Sequence, residues 1–123
     1  MHQFPHNYPV SAQATTASVV TISAPGVEPI LSAPPAEFGG PGDQWSPESL
    51  LVAAVADCFV LSFRAIARAS RLDWANLTCE VDGTLDKHDG GPRFTAFKVR
   101  ANVTIDNQAN AEKADKLLHK AER

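Results

Sequence analysis

The first half of the chain contains no lysine or arginine. The first basic side chain is Arg64, although five acidic residues precede it. The whole sequence of 123 residues has a net charge of −3, which argues against a basic nucleic-acid-binding surface and against a polybasic membrane patch. Any cation that an N-terminal site needs must therefore come from later in the chain or from another chain.

The chain has only two cysteines, Cys58 and Cys79, and they form no CxxC motif. The four histidines are scattered without ligand spacing, which argues against a zinc site and thioredoxin-type chemistry. No phosphate-binding loop, dinucleotide fingerprint or GxSxG motif occurs. We expect neither a metal nor a cofactor.

The sequence also lacks targeting signals. Residues 1–10 have no basic start and no apolar core, and the longest apolar run, Leu50 to Ala56, is too short to cross a bilayer. Two cysteines without an export signal favour thiols in a reducing compartment. We predict a cytoplasmic protein, without membrane attachment, that forms one domain over residues 1–123.

The N-terminal third favours strands and a loop. Tyr8 to Ser23 alternates loosely and is rich in Thr, Val, Ser and Ala, which predicts strand structure. Pro25-Gly26 marks a turn, and "PIL" at residues 29–31 predicts a short returning strand. The proline- and glycine-rich loop that follows, residues 32–44, has a length typical of functional or mobile loops.

The segment "WSPESLLVAAVADCF", residues 45–59, begins a helix. Ser46 can cap it, Pro47 suits the first helical position, and Glu48 complements the positive end of the helix dipole. We predict a helix from Pro47 to about Ser70. Its long central part is apolar on nearly all sides, which is typical of a buried helix.

The remainder predicts a hairpin and a second helix. Residues 77–87 and 94–105 alternate with period two, and the turn-rich "KHDGGPR" between them favours a loop longer than the tightest class. A helix is expected to begin near Asn107 to Asn110 and to run to Arg123 without a stop signal. The open helix end predicts that the domain is incomplete at its C-terminus.

Cys58 allows two interpretations. Its helical neighbours are small or apolar, so it can be a buried, inert filler, or it can be a reactive thiol. Cys79 shares a strand face with Leu77 and Val81, which favours a filler. Glu48 lies ten residues before Cys58, or about 15 Å along a helix. On one continuous helix the two cannot meet, so cooperation between them requires a second copy of the protein.

The same segment resembles the central-helix signature of the OsmC-like proteins, the osmotically inducible and organic-hydroperoxide-resistance family. The shared features are a Ser-Pro-Glu start, a Leu- and Ala-rich run, and a cysteine ten residues after the glutamate. The order of strands, loop and helices is also similar, so the resemblance spans nearly the whole chain. The loop before the helix is closer to the less-characterised OsmC-like branch.

This resemblance implies an α+β fold in which antiparallel sheets wrap around long buried helices in an intertwined homodimer. It implies a thiol-dependent peroxidase of the oxidative or osmotic stress response. Cys58 would attack an organic hydroperoxide, and Glu48 would act across the dimer interface to orient a basic partner. Cys58 would become a sulfenic acid, a second family cysteine would resolve it to a disulfide, and a dithiol reductant would reopen that disulfide. The alternative is a non-catalytic OsmC-fold binding or stress-associated module with an apolar pocket at the dimer interface.

Two departures from the family pattern matter. The second cysteine of the family follows the helix that here ends "LLHKAER", and Cys79 lies in the wrong element to replace it. The hydroperoxide-resistance members also carry an N-terminal arginine, which this chain lacks. A later arginine such as Arg93 is one possible substitute. The physiological peroxide and reductant do not follow from the sequence.

Overall fold

The computed structural model describes residues 2–122. They form two compact units, one that ends at Leu50 and one that begins at Leu51. Each unit has its own antiparallel sheet, one of three strands and one of two. The predicted single domain over residues 1–123 remains a prediction.

The first unit contains the three-stranded sheet. Its strands are β1 (Ser11–Gln13), β2 (Val20–Ser23) and β3 (Ile30–Ser32), in the order β1-β2-β3. The strand structure predicted for Tyr8 to Ser23 is confirmed at β1 and β2, and the chain reverses between them. Within that reversal the Thr15 amide donates to Ser18 Oγ at 2.9 Å, a local bond that competes with strand pairing. The short returning strand at β3 is confirmed.

The loop after β3 holds a short 3-10 helix, Ala36–Phe38. Gly39 ends it with φ at 84°, a left-handed conformation that favours glycine. The Cβ of any other residue at Gly40 would lie 1.6 Å from the carbonyl oxygen of Pro34. The loop can therefore adopt this conformation only with glycine at position 40.

The long helix predicted from Pro47 is confirmed as α1, Pro47–Ala69. Only Phe59, Phe63 and Ala67 of its side chains are buried by the described residues. The described residues therefore do not provide the expected burial of the whole helix. By length and composition alone α1 could cross a bilayer, a test that the core helix of a soluble protein also passes.

The hairpin is confirmed as β4 (Asn76–His88) and β5 (Gly91–Thr104). Its connection is shorter than predicted, since His88 pairs with Gly91 and only Asp89 and Gly90 lie between the strands. Gly90 has φ at 90°, a conformation that glycine adopts readily, and so an Asp-Gly pair can turn the chain here. A register irregularity between Thr84 and Leu85 interrupts the otherwise continuous pairing.

The second predicted helix is also present. A 3-10 turn at Gln108–Asn110 leads into α2, Ala111–Ala121, so the helix ends before the last residue. The Asn107 side chain caps the start by accepting from the Ala109 amide at 3.0 Å. The hairpin and the two helices enclose one core cluster of buried side chains: Phe63, Ala67, Leu72, Ala114 and Leu117.

Candidate functional site

The N-terminus of α1 is held by a reciprocal pair of serines. The Ser49 amide donates to Ser46 Oγ at 3.1 Å, and the Ser46 amide donates to Ser49 Oγ at 2.9 Å. This is a capping box in which serine replaces the usual glutamate or glutamine. The predicted capping role of Ser46 is confirmed. The contribution of Ser49 was missed, although its spacing of three residues was the available signal.

Glu48 lies in the first turn of α1, as its position beside Pro47 predicts. The side chain is half-buried. Its Oε1 atom is shielded from solvent and has no hydrogen-bond partner among residues 2–122. A shielded carboxylate oxygen without a donor is costly. The position therefore calls for a donor that the described part of this chain does not supply.

Cys58 is exposed on α1 rather than buried. Its Sγ lies 3.9 Å from Ser62 Oγ, one helical turn further along. The thiol opens into a pocket of about 390 Å³. The walls of this pocket are mostly apolar and come from α1, β5 and the end of α2: Ala54, Val55, Cys58, Phe59, Ser62, Val99, Ala121 and Glu122. Within the described residues, Cys58 is therefore an accessible thiol and not a buried filler.

No lysine, arginine or histidine belongs to the described wall of the Cys58 pocket. Its charged member is Glu122. Glu122 was not foreseen, because it comes from a distant helix and carries no local signal. Arg93 is six residues before Val99 on β5, about 20 Å along the strand. Arg93 of the same chain is thus a poor substitute for the missing arginine.

Cys79 lies half-buried in β4, opposite Ala101 of β5. Burial raises the pKa of the Cys79 thiol above its ordinary value. A raised pKa reduces the thiolate fraction and so the reactivity of the sulfur. This agrees with the expectation that Cys79 is a filler.

An exposed seam runs along α1 through the thiol. We use this name for Leu51, Ala54, Cys58, Leu61 and Ala65, which are all exposed. Their spacing of three and four residues is that of the a and d positions of a coiled coil. Leu51 is 48% exposed and Leu61 is 49% exposed. The seam is thus an exposed apolar stripe of the kind that is usually buried against another helix.

Together these features define an α+β protein with a capped, apolar helix that carries an accessible cysteine. The model of the family described as OsmC-like protein matches residues 40–123. This chain belongs to the OsmC-like family. The predicted fold class and the predicted family are therefore confirmed.

Solved structures agree on the fold. An OsmC-like protein of unknown function from Vibrio cholerae superimposes with a TM-score of 0.80 at 21% identity, over 97% of this chain and 88% of that one. An organic hydroperoxide resistance protein OsmC from Legionella pneumophila gives 0.76 at 23% identity, over 97% and 84%. The organic hydroperoxide resistance protein OhrB of Bacillus subtilis gives 0.67 at 25% identity, over 94% and 83%.

A curated relative is longer than the region that it shares with this chain. The uncharacterised protein YmaD of Bacillus subtilis is 29% identical over 91 residues, which are 72% of this chain. The matched region spans 61% of that relative. The likeness supports the family but assigns no activity.

Proposed function

We propose that this protein is a thiol-dependent peroxidase that reduces organic hydroperoxides in a stress response, with Cys58 as the attacking group. The observation that carries the proposal is an accessible Cys58 thiol in an apolar-walled pocket on the signature helix of the family. Apolar walls suit the organic part of an alkyl or aryl hydroperoxide better than they suit hydrogen peroxide. Relatives whose names state organic hydroperoxide resistance support the same substrate class.

The chemistry has two stages. The Cys58 thiolate attacks the terminal oxygen of the hydroperoxide, an S–O bond forms, and the O–O bond breaks. The leaving alkoxide takes a proton and departs as an alcohol, while the sulfur becomes a sulfenic acid. One thiol of a dithiol reductant then displaces water to give a mixed disulfide. The second thiol releases Cys58 and closes the disulfide of the reductant.

A homodimer supplies what one chain lacks. In an antiparallel pair of α1 helices with the two-fold axis near Ala53, Glu48 of one copy lies level with Cys58 of the other. The two copies would bury the part of the seam from Leu51 to Cys58, and the unpartnered Glu48 oxygen would accept from a donor near the second thiol. Ala53 and Ala54 are small and permit close approach of the helices.

A basic group must also reach the thiol in this account. A cation or hydrogen-bond donor beside a cysteine favours the thiolate, which is the nucleophile. Glu48 would orient such a group, as the family resemblance implies. Because the described wall of the Cys58 pocket holds no cation, the group comes from another chain or from outside that wall.

The same lack of a cation favours one alternative function. The protein would be a binding or stress-associated module whose apolar pocket at the dimer interface holds a ligand, with Cys58 chemically silent. Under this alternative the Cys58→Ala protein would bind and fold as the parent does, and it would show the same rate with hydroperoxide as the parent.

The test compares two single-thiol variants in the reduction of cumene hydroperoxide with dithiothreitol. We expect Cys58→Ser to lose activity and Cys79→Ser to keep it, since each substitution removes one sulfur and only Cys58 opens into the pocket. Mass spectrometry after trapping with dimedone should place the sulfenic acid on Cys58. A Cys58→Ser protein as fast as the parent would refute the proposal.

A further inference from the structure

A second concave site lies at the other end of α1. It is a groove of about 580 Å³ whose walls carry three guanidinium groups, those of Arg64, Arg68 and Arg71. Ala67 and Leu72 lie at the base but expose almost no surface, at 0% and 6%, and Asp73 and the half-buried Trp74 complete the wall. We call this the arginine groove. None of its residues belongs to the Cys58 pocket.

The three guanidinium groups have no partner within the described chain. Among residues 2–122 none of them forms an ion pair, and none forms a side-chain hydrogen bond. Arg64 and Arg68 are separated by one turn of α1, so both project toward the same side of the helix. Asp73 is the one acidic group of the described wall. The groove therefore concentrates unpaired positive charge in a chain that is acidic as a whole.

The backbone holds Arg71 at a position that ordinarily belongs to glycine. The Leu72 amide donates to the Ala67 carbonyl at 2.9 Å, and the Arg71 amide donates to the Arg68 carbonyl at 3.2 Å. These two bonds define a Schellman motif, whose left-handed residue is usually glycine. Arg71 has φ at 57° and is the non-glycine residue with positive φ among those described. A retained strained residue is a reason to look for a function of its side chain.

Stabilisation of the helix dipole does not explain all three arginines. The negative end of a helix attracts cations only within its last turn. Arg68 is the basic residue of the last turn of α1, whereas Arg64 lies a turn earlier. Glycine at position 71 would complete the Schellman motif with less strain. The charge at Arg64 and Arg71 is thus free for another use.

We propose that the arginine groove binds a small phosphate monoester that has an apolar body. Guanidinium groups match phosphate oxygens with two parallel donors each, and several of them suit a dianion better than a single carboxylate. The apolar body would lie against Trp74, which is half-buried and so still offers apolar surface. The ring of Trp74 is fixed edge-on to Phe63 with 5.4 Å between centroids. The volume is larger than a phosphate ion needs, which leaves room for that body.

The experiment measures binding of phenyl phosphate and of inorganic phosphate to the full chain at low salt by calorimetry. We expect phenyl phosphate to bind more tightly, because inorganic phosphate has no apolar group to pack against Trp74. Arg68→Gln and Arg71→Gly should each weaken binding of phenyl phosphate by at least about tenfold, the usual effect of losing a charge-assisted hydrogen bond. Arg71→Gly should also raise the unfolding temperature, since glycine relieves the strained backbone.

Arg93→Gln is the matched control. It removes the same charge from β5, outside the wall of the arginine groove, and should bind phenyl phosphate as the parent does. Equal weakening by Arg93→Gln would overturn the proposal, because it would reduce the effect to net charge. Absence of binding in the parent would overturn it as well. So would binding to vesicles that contain phosphatidic acid without binding to soluble phenyl phosphate, because the groove would then recognise a membrane surface.

Discussion

The two sides of α1 are similar in composition but differ in what covers them. The covered side carries the buried residues Phe59, Phe63 and Ala67. Of these, Phe63 and Ala67 belong to the core cluster that includes Leu72 and two residues of α2, Ala114 and Leu117. The seam on the other side, from Leu51 to Ala65, is apolar and exposed. The covered side stabilises the fold of one chain. The seam, which holds Cys58, is the side that a second copy would complete.

This difference limits what hydrophobicity can predict. An all-round apolar helix signals burial, but it does not say whether the cover comes from the same chain. The hairpin and α2 supply one layer, and the orphan oxygen of Glu48 marks the lack of another. The predicted homodimer would supply that further layer.

The largest effect is expected on the covered side. Phe63 is 0% exposed and packs against Trp74, so Phe63→Ala should lower the free energy of unfolding by about 3–5 kcal/mol. Leu61→Ala is the matched truncation on the seam. It should cost an isolated monomer much less, because Leu61 is 49% exposed. Denaturant unfolding at high dilution checks both, and equal losses would contradict the distinction between the two sides.

The seam should respond to charge through association rather than through folding. Leu51→Glu would place a carboxylate in the proposed helix contact, level with Val55 of the other copy, and should raise the dimer dissociation constant by about 100-fold. Ala69→Glu adds the same charge to the same face of α1 about 27 Å further along, beyond the overlap of the two helices, and should leave association unchanged. Sedimentation velocity over a range of concentrations measures both. A parent protein that stays monomeric at all concentrations would contradict the proposed dimer.

A smaller effect is expected where the covered side meets the hairpin. A Cβ at Gly83 would lie 2.7 Å from Cγ2 of Val52 and 3.0 Å from the Phe94 ring. Gly83→Ala should therefore displace α1 from β4 and cost about 1–3 kcal/mol of stability. Gly90→Ala is the contrasting change, because a Cβ there meets no atom and only the positive φ opposes it. Thermal unfolding should rank Gly83→Ala as the more damaging.

The smallest effect concerns His119, which borders the covered side of α1 beside Phe59. Its hydrogen bond with the Asp115 carbonyl, and then the Asp115 charge, raise the pKa of His119 above 6.5. A raised pKa stabilises the fold below that ordinary value, and the contribution is lost as pH rises through the folded pKa. An NMR titration should show a lower pKa in Asp115→Asn, whereas Glu112→Gln, two turns away, should leave it nearly unchanged.

Local signals in the sequence predicted much of this molecule. The Ser46-Pro47 pair located the start of α1, and period-two alternation located β4 and β5. The tight turn at Asp89-Gly90 was missed because the flanking residues are polar and hide the strand ends. The sequence placed Cys58 on its helix but could not place Glu122 beside it, since that proximity depends on how α2 packs.

The central claim is that each reactive site combines Cys58 of one copy with Glu48 of another. The most direct measurement mixes Glu48→Gln and Cys58→Ser proteins, refolds them together and assays reduction of cumene hydroperoxide. If the site is shared, half of the dimers are mixed and each holds one intact site, so about a quarter of the parent activity should return. Activity no greater than the mean of the two variants refolded separately would contradict the claim.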